Sequence, residues 1–236
     1  MNTIEHPRDS ADRRVGVSAN QVLRSDTPWL MTAAGTCFPL LDPKPSDTDA
    51  RHRAIMLAKR PRFGGATRGF YSVAQHAVLV SQIVDELLAA NDDGVGGMVL
   101  APAPAFYGLL HDDHEAYLGD MPTPVKHALR AIDERAIAAW NRLVDGIDRA
   151  VHESHGLPWP RDPRIDAMVR QADLLALATE KRDLMPHPAP GHPDWDIPLP
   201  HALDHVKIVP LNPDQAQFAY LQRLTDLEAR RRAAAE

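Results

Sequence analysis

The stretch S-V-A-Q-H-A-V-L-V-S-Q-I-V-D-E-L-L, residues 72–88, decides the fold class. Ser72 followed three residues later by Gln75 is the spacing of a capping box, in which each side chain satisfies a backbone N–H at a helix start. Val73, Ala77, Val80, Val84 and Leu87 then recur every three or four residues, the period of a helix with one apolar face. Helical spacing also governs the chain on both sides. Ala54, Ile55, Leu57 and Ala58 form an apolar face after Asp49, stopped by Arg60-Pro61 and the Gly64-Gly65 pair. Pro104 suits the first turn of a helix expected to run to about Leu118, with Phe106, Leu109 and Leu110 apolar and Gly119 ending it.

Further on, Ala136, Trp140, Leu143, Ile147 and Val151 predict a helix from about Asp133 to His155, closed by Gly156. Pro163 opens another through Ile165, Val169, Ala172 and Leu175 to about Leu184. Asn212-Pro213 starts a last one with Phe218, Leu221, Leu224 and Leu227. Residues 38–50 and 186–213 are Pro-rich and irregular, with Val206–Val209 the one short strand expected. Without strand–helix alternation or internal repeats, the expectation is an all-α fold, helices packed on helices. Residues 1–27 read as a flexible, charged leader, and 28–236 as one helical domain in which 185–236 is a less securely placed C-terminal extension. Asn91 to Gly97 reads as a flexible connection.

Bulk composition narrows the function. The 236 residues carry 26 basic and 32 acidic side chains, a formal net charge of −6. That balance disfavours nucleic-acid coating, which needs many Lys and Arg against phosphates, and Arg230-Arg231-Arg232 is read as capping the last helix through its dipole. A single cysteine, Cys37, excludes an internal disulfide and a thiolate zinc cluster. With no apolar run of membrane-spanning length and no signal-peptide core, the expectation is a cytoplasmic protein with no membrane partner.

Twelve histidines are the unusual count, because neutral imidazole is a common metal ligand. His76 falls in the first turn of the capped helix, His111-Asp112 in the next helix, and Asp173 mid-helix inside the apolar run A-D-L-L-A-L-A. A carboxylate in an apolar run is costly unless paired or bound to a metal. Two imidazoles and two carboxylates suit one divalent ion among Mn, Co, Fe, Zn or Mg. Glu115 lies one turn after His111, placed to move protons beside the site, and Asp120 lies at its rim. Read singly, each residue has a plain alternative: a core histidine, a chance His-Asp pair, half of a structural ion pair.

Three longer strings change the weighting: R-F-G-G-A-T-R-G-F-Y-S-V-A-Q-H-A-V-L-V-S (62–81), L-L-H-D-D-H-E-A-Y-L-G-D-M-P-T-P-V-K (109–126) and A-D-L-L-A-L-A-T-E-K-R-D-L-M (172–185). In their order they resemble the HD superfamily of metal-dependent phosphohydrolases, in its 5′-deoxynucleotidase-like branch, and are similar also to phage deoxyadenosine triphosphate hydrolases. The resemblance covers roughly residues 30–185. It implies an HD-type helical bundle with a metal site between helices, His76, His111, Asp112 and Asp173 as ligands, Glu115 as proton-transfer group, Arg62 on substrate phosphate and Asp120 near the substrate. The activity implied is hydrolysis of a nucleotide, foremost a (deoxy)nucleoside 5′-monophosphate. The alternatives are a triphosphate hydrolase releasing tripolyphosphate, action on another small phosphate ester, and a non-catalytic metal-containing domain that binds a nucleotide or a partner. A homo-oligomer is expected.

Phe63 reads equally as base contact and core aromatic, and Arg68 equally as phosphate contact and solvated loop charge. Phe70, Tyr71 and Trp29 are weaker aromatic candidates. Lys126 is placed with the substrate contacts, although neither it nor Glu180 has a firm role. Asp113 and His114 stand where family members often have small residues, and the sequence leaves open whether they are exposed or whether His114 touches the site.

Overall fold

Asp49 starts the first helix, α1 (Ala50–Ala58), by accepting hydrogen bonds from the backbone N–H groups of Arg51 and His52 at 2.9 and 3.0 Å. The computed structural model to which it belongs describes residues 28–90, 103–195 and 197–236. The expected leader, 1–27, and the expected connection Asn91 to Gly97 lie outside the described residues. The architecture is all-α, with a two-stranded antiparallel hairpin, β1 (Trp29–Met31) and β2 (Cys37–Pro39), at its start. The sequence reading assigns no element to residues 28–37, and β2 runs into the stretch, 38–50, read as a connection. The hairpin is held by Phe38, fully buried and stacked on Tyr117 at 3.6 Å between ring centroids.

The decisive stretch forms α2 (Val73–Ala90). Ser72 Oγ accepts from Gln75 N at 3.2 Å, but the reciprocal half of the capping box is absent. The Gln75 amide instead donates to Val209 O and accepts from Leu211 N, at 2.8 and 2.9 Å. With Ile208 N bonded to Asp183 Oδ2 at 2.8 Å, these side chains hold residues 206–211. Val206–Val209 therefore has no strand partner and is not a strand. At 18 residues with mean hydropathy 1.2, α2 reaches the length and composition of a minimal membrane span, which corrects the expectation that no such run exists. Here it packs on α3 (Ala103–Leu110), α7 (Pro163–Leu184) and α8 (Pro213–Ala233) as a core helix.

The helix expected from Pro104 to Leu118 is broken. It stops at Leu110, and after the four-residue turn His111–His114 a single further turn, α4 (Glu115–Leu118), completes it. Within the turn, Glu115 N bonds to Asp112 O and Ala116 N to Asp113 O, at 2.9 and 3.1 Å, so the backbone is wound tighter than an α-helix. His and Asp are poor helix formers, and Asp113 is drawn inward by distant partners. Asp113 takes Arg53 Nε at 2.8 Å and Tyr220 Oη at 2.7 Å, all three fully buried. Asp113 and His114 are thus both buried rather than exposed.

Next come α5 (Thr123–Ile132), which the sequence reading lacks, and α6 (Glu134–Ser154). In α5, Val125 and Ile132 remain exposed. α7 begins under an Asp162 cap and α8 under a complete Asn212/Gln215 capping box. Arg230 and Arg231 do more than cap α8, since they bond Asp85 and the carbonyl of His155. A close approach positions α3: a Cβ on Gly108 would meet Val84 Cγ2 at 3.1 Å and the Ser81 backbone at 3.2 Å. With only a hydrogen at Gly108, α3 lies tight on α2 and carries its C-terminal end to His76.

Candidate metal centre

Four donor atoms from three helical segments converge at the end of α3. His76 Nε2 lies 3.3 Å from His111 Nε2, 3.2 Å from Asp173 Oδ1 and 3.5 Å from Asp112 Oδ2. His111 Nε2 lies 3.1 Å from Asp112 Oδ2 and 3.9 Å from Asp173 Oδ1. His76 is fully buried, His111 and Asp112 are largely covered, and Asp173 is half-exposed at the opening.

The other nitrogen of each imidazole is occupied. His76 Nδ1 is 2.6 Å from Glu180 Oε1, and His111 Nδ1 is 2.8 Å from Gly108 O. Both partners are pure acceptors, so each Nδ1 carries the proton and each Nε2 is free to turn a lone pair on the cluster. Such a set needs a positive charge at its centre, and N/O donors of this kind fit a borderline or hard divalent ion. Without one, a proton serves. Burial and Arg62 oppose the imidazolium of His76, but Glu180 and Asp173 outweigh them and push its pKa up to about 10. Burial also works against the Asp112 carboxylate, yet His111 and His76 hold it well below the usual range.

The cluster floors a cleft of about 630 Å³. Arg62, Phe63, Glu115, Asp120 and Lys126 line it, as do His127, His192 and Trp195. Arg62 follows Pro61 in a short turn; its Nη2 donates to Glu180 Oε2 at 3.2 Å and its Nη1 lies 3.5 Å from Asp112 Oδ2. Burial opposes the Arg62 charge, but Glu180 and Asp112 keep it firmly protonated. Glu115 is buried, and its Oε2 has no hydrogen-bond partner among the described residues. Burial first, then the Asp112 charge, raise its pKa to about 8. Asp120 Oδ2 accepts from Phe63 N at 2.9 Å, which holds Phe63 in the left-handed region at φ 55°. The Phe63 ring faces Trp195 at 5.8 Å between centroids.

Four sequence candidates are not brought into this cleft, among them Phe70, which is exposed and does not line it. Arg68 donates to Asp183 O at 2.7 Å, at the end of α7, and Trp29 belongs to β1. Tyr71 is fully buried beneath the site, where its hydroxyl donates to Glu180 Oε1 at 2.9 Å. His114 does reach the centre: its Nδ1 meets Asp148 Oδ1 at 3.0 Å, and it shares a donor cluster with Asp112 and Glu115. Trp195 and His192 come from the Pro/His-rich segment and Glu180 from α7. Only their proximity in the string to Asp173, or in the irregular segment, could have marked them.

Comparison with known proteins places this centre in a family. A family model described as 5′-deoxynucleotidase YfbR-like matches residues 68–179. The uncharacterized protein YfdR of Escherichia coli K12 is 35% identical over 186 residues, covering 77% of this chain and 85% of that one. The chain belongs to the YfbR-like family. An uncharacterized protein of Rhodobacter capsulatus is 34% identical over 158 residues, 66% of this chain and 72% of its own length. The 5′-deoxynucleotidase YfbR of Salmonella typhi is 29% identical over 113 residues, so the alignment spans 44% of this YfbR-like chain and 56% of that enzyme. The family match includes His76, His111, Asp112, Glu115, Asp120 and Asp173. Arg62, Phe63, Glu180 and Trp195 lie outside the matched span.

Proposed function

We propose that this chain is a metal-dependent phosphohydrolase of nucleotides, foremost a (deoxy)nucleoside 5′-monophosphate phosphatase. The observation that carries the reading is the convergence of two imidazole Nε2 atoms and two carboxylates, each nitrogen 3.1 to 3.9 Å from both carboxylates, on the floor of a cleft that also holds Arg62 and Glu115. His76, His111, Asp112 and Asp173 would hold one divalent ion, Mn, Co, Fe, Zn or Mg. Bound there, such an ion supplies Lewis acidity, polarising a phosphoryl oxygen and acidifying water.

The chain's own residues do the rest. Arg62, prepositioned on Glu180, offers the phosphate a charge that needs no reorientation. Glu115 Oε2 is an acceptor left free among the described residues, and its raised pKa suits proton exchange near neutrality between water and the leaving oxygen. Asp120 fixes the Phe63 turn, and Phe63 with Trp195 presents flat apolar surface for a base. Lys126 lines the same cleft as a second cation for the substrate. The single thiol, Cys37, accords with a cytoplasmic setting.

The test is release of phosphate and of tripolyphosphate from nucleoside and deoxynucleoside mono- and triphosphates. Metal-stripped protein would be resupplied with Mn, Co, Zn or Mg, beside an Asp112→Ala control. Metal-restored phosphate release from monophosphates, absent from the control, is expected. Tripolyphosphate instead would reassign the substrate, and metal binding without turnover of any nucleotide would sink the phosphatase reading.

A further inference from the structure

We infer that Glu180 is a positioning residue shared by the metal centre and the phosphate arginine, so that one buried carboxylate sets both His76 and Arg62. The inference rests on the four-ligand reading proposed above, but not on any particular substrate. Glu180 is fully buried on α7, about two turns beyond Asp173 and so on the same helix face. From that face α7 reaches the centre twice, directly through Asp173 and through His76 by way of Glu180.

Three donors meet its two oxygens. Oε1 accepts from Tyr71 Oη at 2.9 Å and from His76 Nδ1 at 2.6 Å; Oε2 accepts from Arg62 Nη2 at 3.2 Å. Tyr71 Oη and Arg62 Nη2 already donate to this carboxylate, so it faces His76 Nδ1 as an acceptor. His76 is therefore fixed as the Nδ1–H tautomer with Nε2 open to the cluster, and Arg62 is fixed beside it. A metal-ligating histidine whose second nitrogen is held by a carboxylate gains both orientation and basicity.

An amide in place of this carboxylate cannot serve both neighbours. If the Gln oxygen faced Tyr71 and His76, its NH₂ would confront Arg62 and release the phosphate arginine. If the oxygen faced Arg62, the NH₂ would confront His76, which would have to move its proton to Nε2, against the metal. Either way one of the two functions is lost, although the shape is kept.

The experiment measures Mn and Co binding by calorimetry for the full chain, Glu180→Gln and Asp112→Ala, and inorganic phosphate binding by the metal-loaded forms. No nucleotide turnover is read. Glu180→Gln is expected to weaken metal binding by roughly 10- to 100-fold, or, with the metal retained, to weaken phosphate binding by roughly 10-fold or more. Folded Glu180→Gln with both affinities unchanged, while Asp112→Ala loses metal, would overturn the positioning role alone. Metal affinity unchanged in Asp112→Ala would overturn the ligand set itself. Should Glu180→Gln not fold, ¹⁵N NMR of the zinc-loaded natural sequence decides. A protonated His76 Nδ1 supports the inference, and a protonated His76 Nε2 overturns it.

Discussion

Glu115 is a side chain that the fold tolerates at a cost. It is 4% exposed, one of its oxygens has no partner among the described residues, and Asp112 repels its charge. A buried acceptor left unmade costs stability, and strain of that kind is retained where function uses it. Glu115→Gln removes the exchangeable proton while keeping the volume. The expected outcome is a fall in kcat by about 10²- to 10⁴-fold, the scale of a lost general acid–base group, with metal affinity unchanged and thermal stability equal or higher. Retained turnover in this variant would remove Glu115 from the chemistry. A parallel loss of stability would make it a structural residue.

α6 and its C-cap carry two histidines kept neutral by their surroundings. His152 is fully buried between Tyr107 and Trp159, its Nδ1 bonded to Asp148 O at 2.7 Å and its Nε2 unpartnered among the described residues. Burial pulls its pKa down to about 4, and burial with the Arg53 charge pulls His155 down to about 3. Both folded values lie below the unfolded value near 6.5. At these two sites the unfolded chain binds more protons in the interval between, so their contribution to stability falls as the pH drops below about 6.5. For His152 alone the loss is about 2 kcal/mol by pH 5. Thermal unfolding from pH 7.5 to 5 should show the midpoint of His152→Phe, which cannot take up a proton there, rising relative to that of the natural sequence as the pH falls. Equal slopes would place the acid sensitivity elsewhere.

The same element scale explains what the sequence makes readable. α1, α2, α6, α7 and α8 announce themselves because cap residues and apolar spacing are both local, as with Asp49 and with Asn212/Gln215. The break at His111–His114 is not local: it is drawn by Arg53 and Tyr220, the latter 107 residues from Asp113. α5 escapes because no side chain caps its start, as Asp49 caps the shorter α1, and because it buries no residue. The four proposed ligands and Glu115 stand out by residue type and order. Glu180 does not, since its meaning lies in Arg62, 118 residues away, and in His76, 104 residues away.

At the scale of the molecule, two adjacent carboxylates face opposite ways and divide the labour of the fold. Asp112 turns to the cleft and the histidines, while Asp113 turns to a buried clasp. In that clasp Arg53 of α1 also donates to Thr48 O and meets His155 Nε2 at 2.7 Å, beyond the end of α6, and Tyr220 of α8 completes it. The H-D-D-H turn is thereby anchored to three helices, and the anchor sets the position from which His111 and Asp112 reach His76 and Asp173. Removing Asp113 leaves the Arg53 charge buried with only neutral acceptors, a change that costs about 3–5 kcal/mol. Asp113→Ala should therefore lower the unfolding midpoint by roughly 10 °C and weaken metal binding only as the turn loosens. Asp112→Ala should abolish metal binding with little loss of stability in the metal-free protein, since it removes one of several crowded acceptors. Calorimetric unfolding of the two metal-free variants beside the natural sequence separates them. If Asp113→Ala were as stable as the natural sequence, the clasp would not be what holds the turn, and the centre's geometry would have to come from the α2–α3 contact at Gly108 alone.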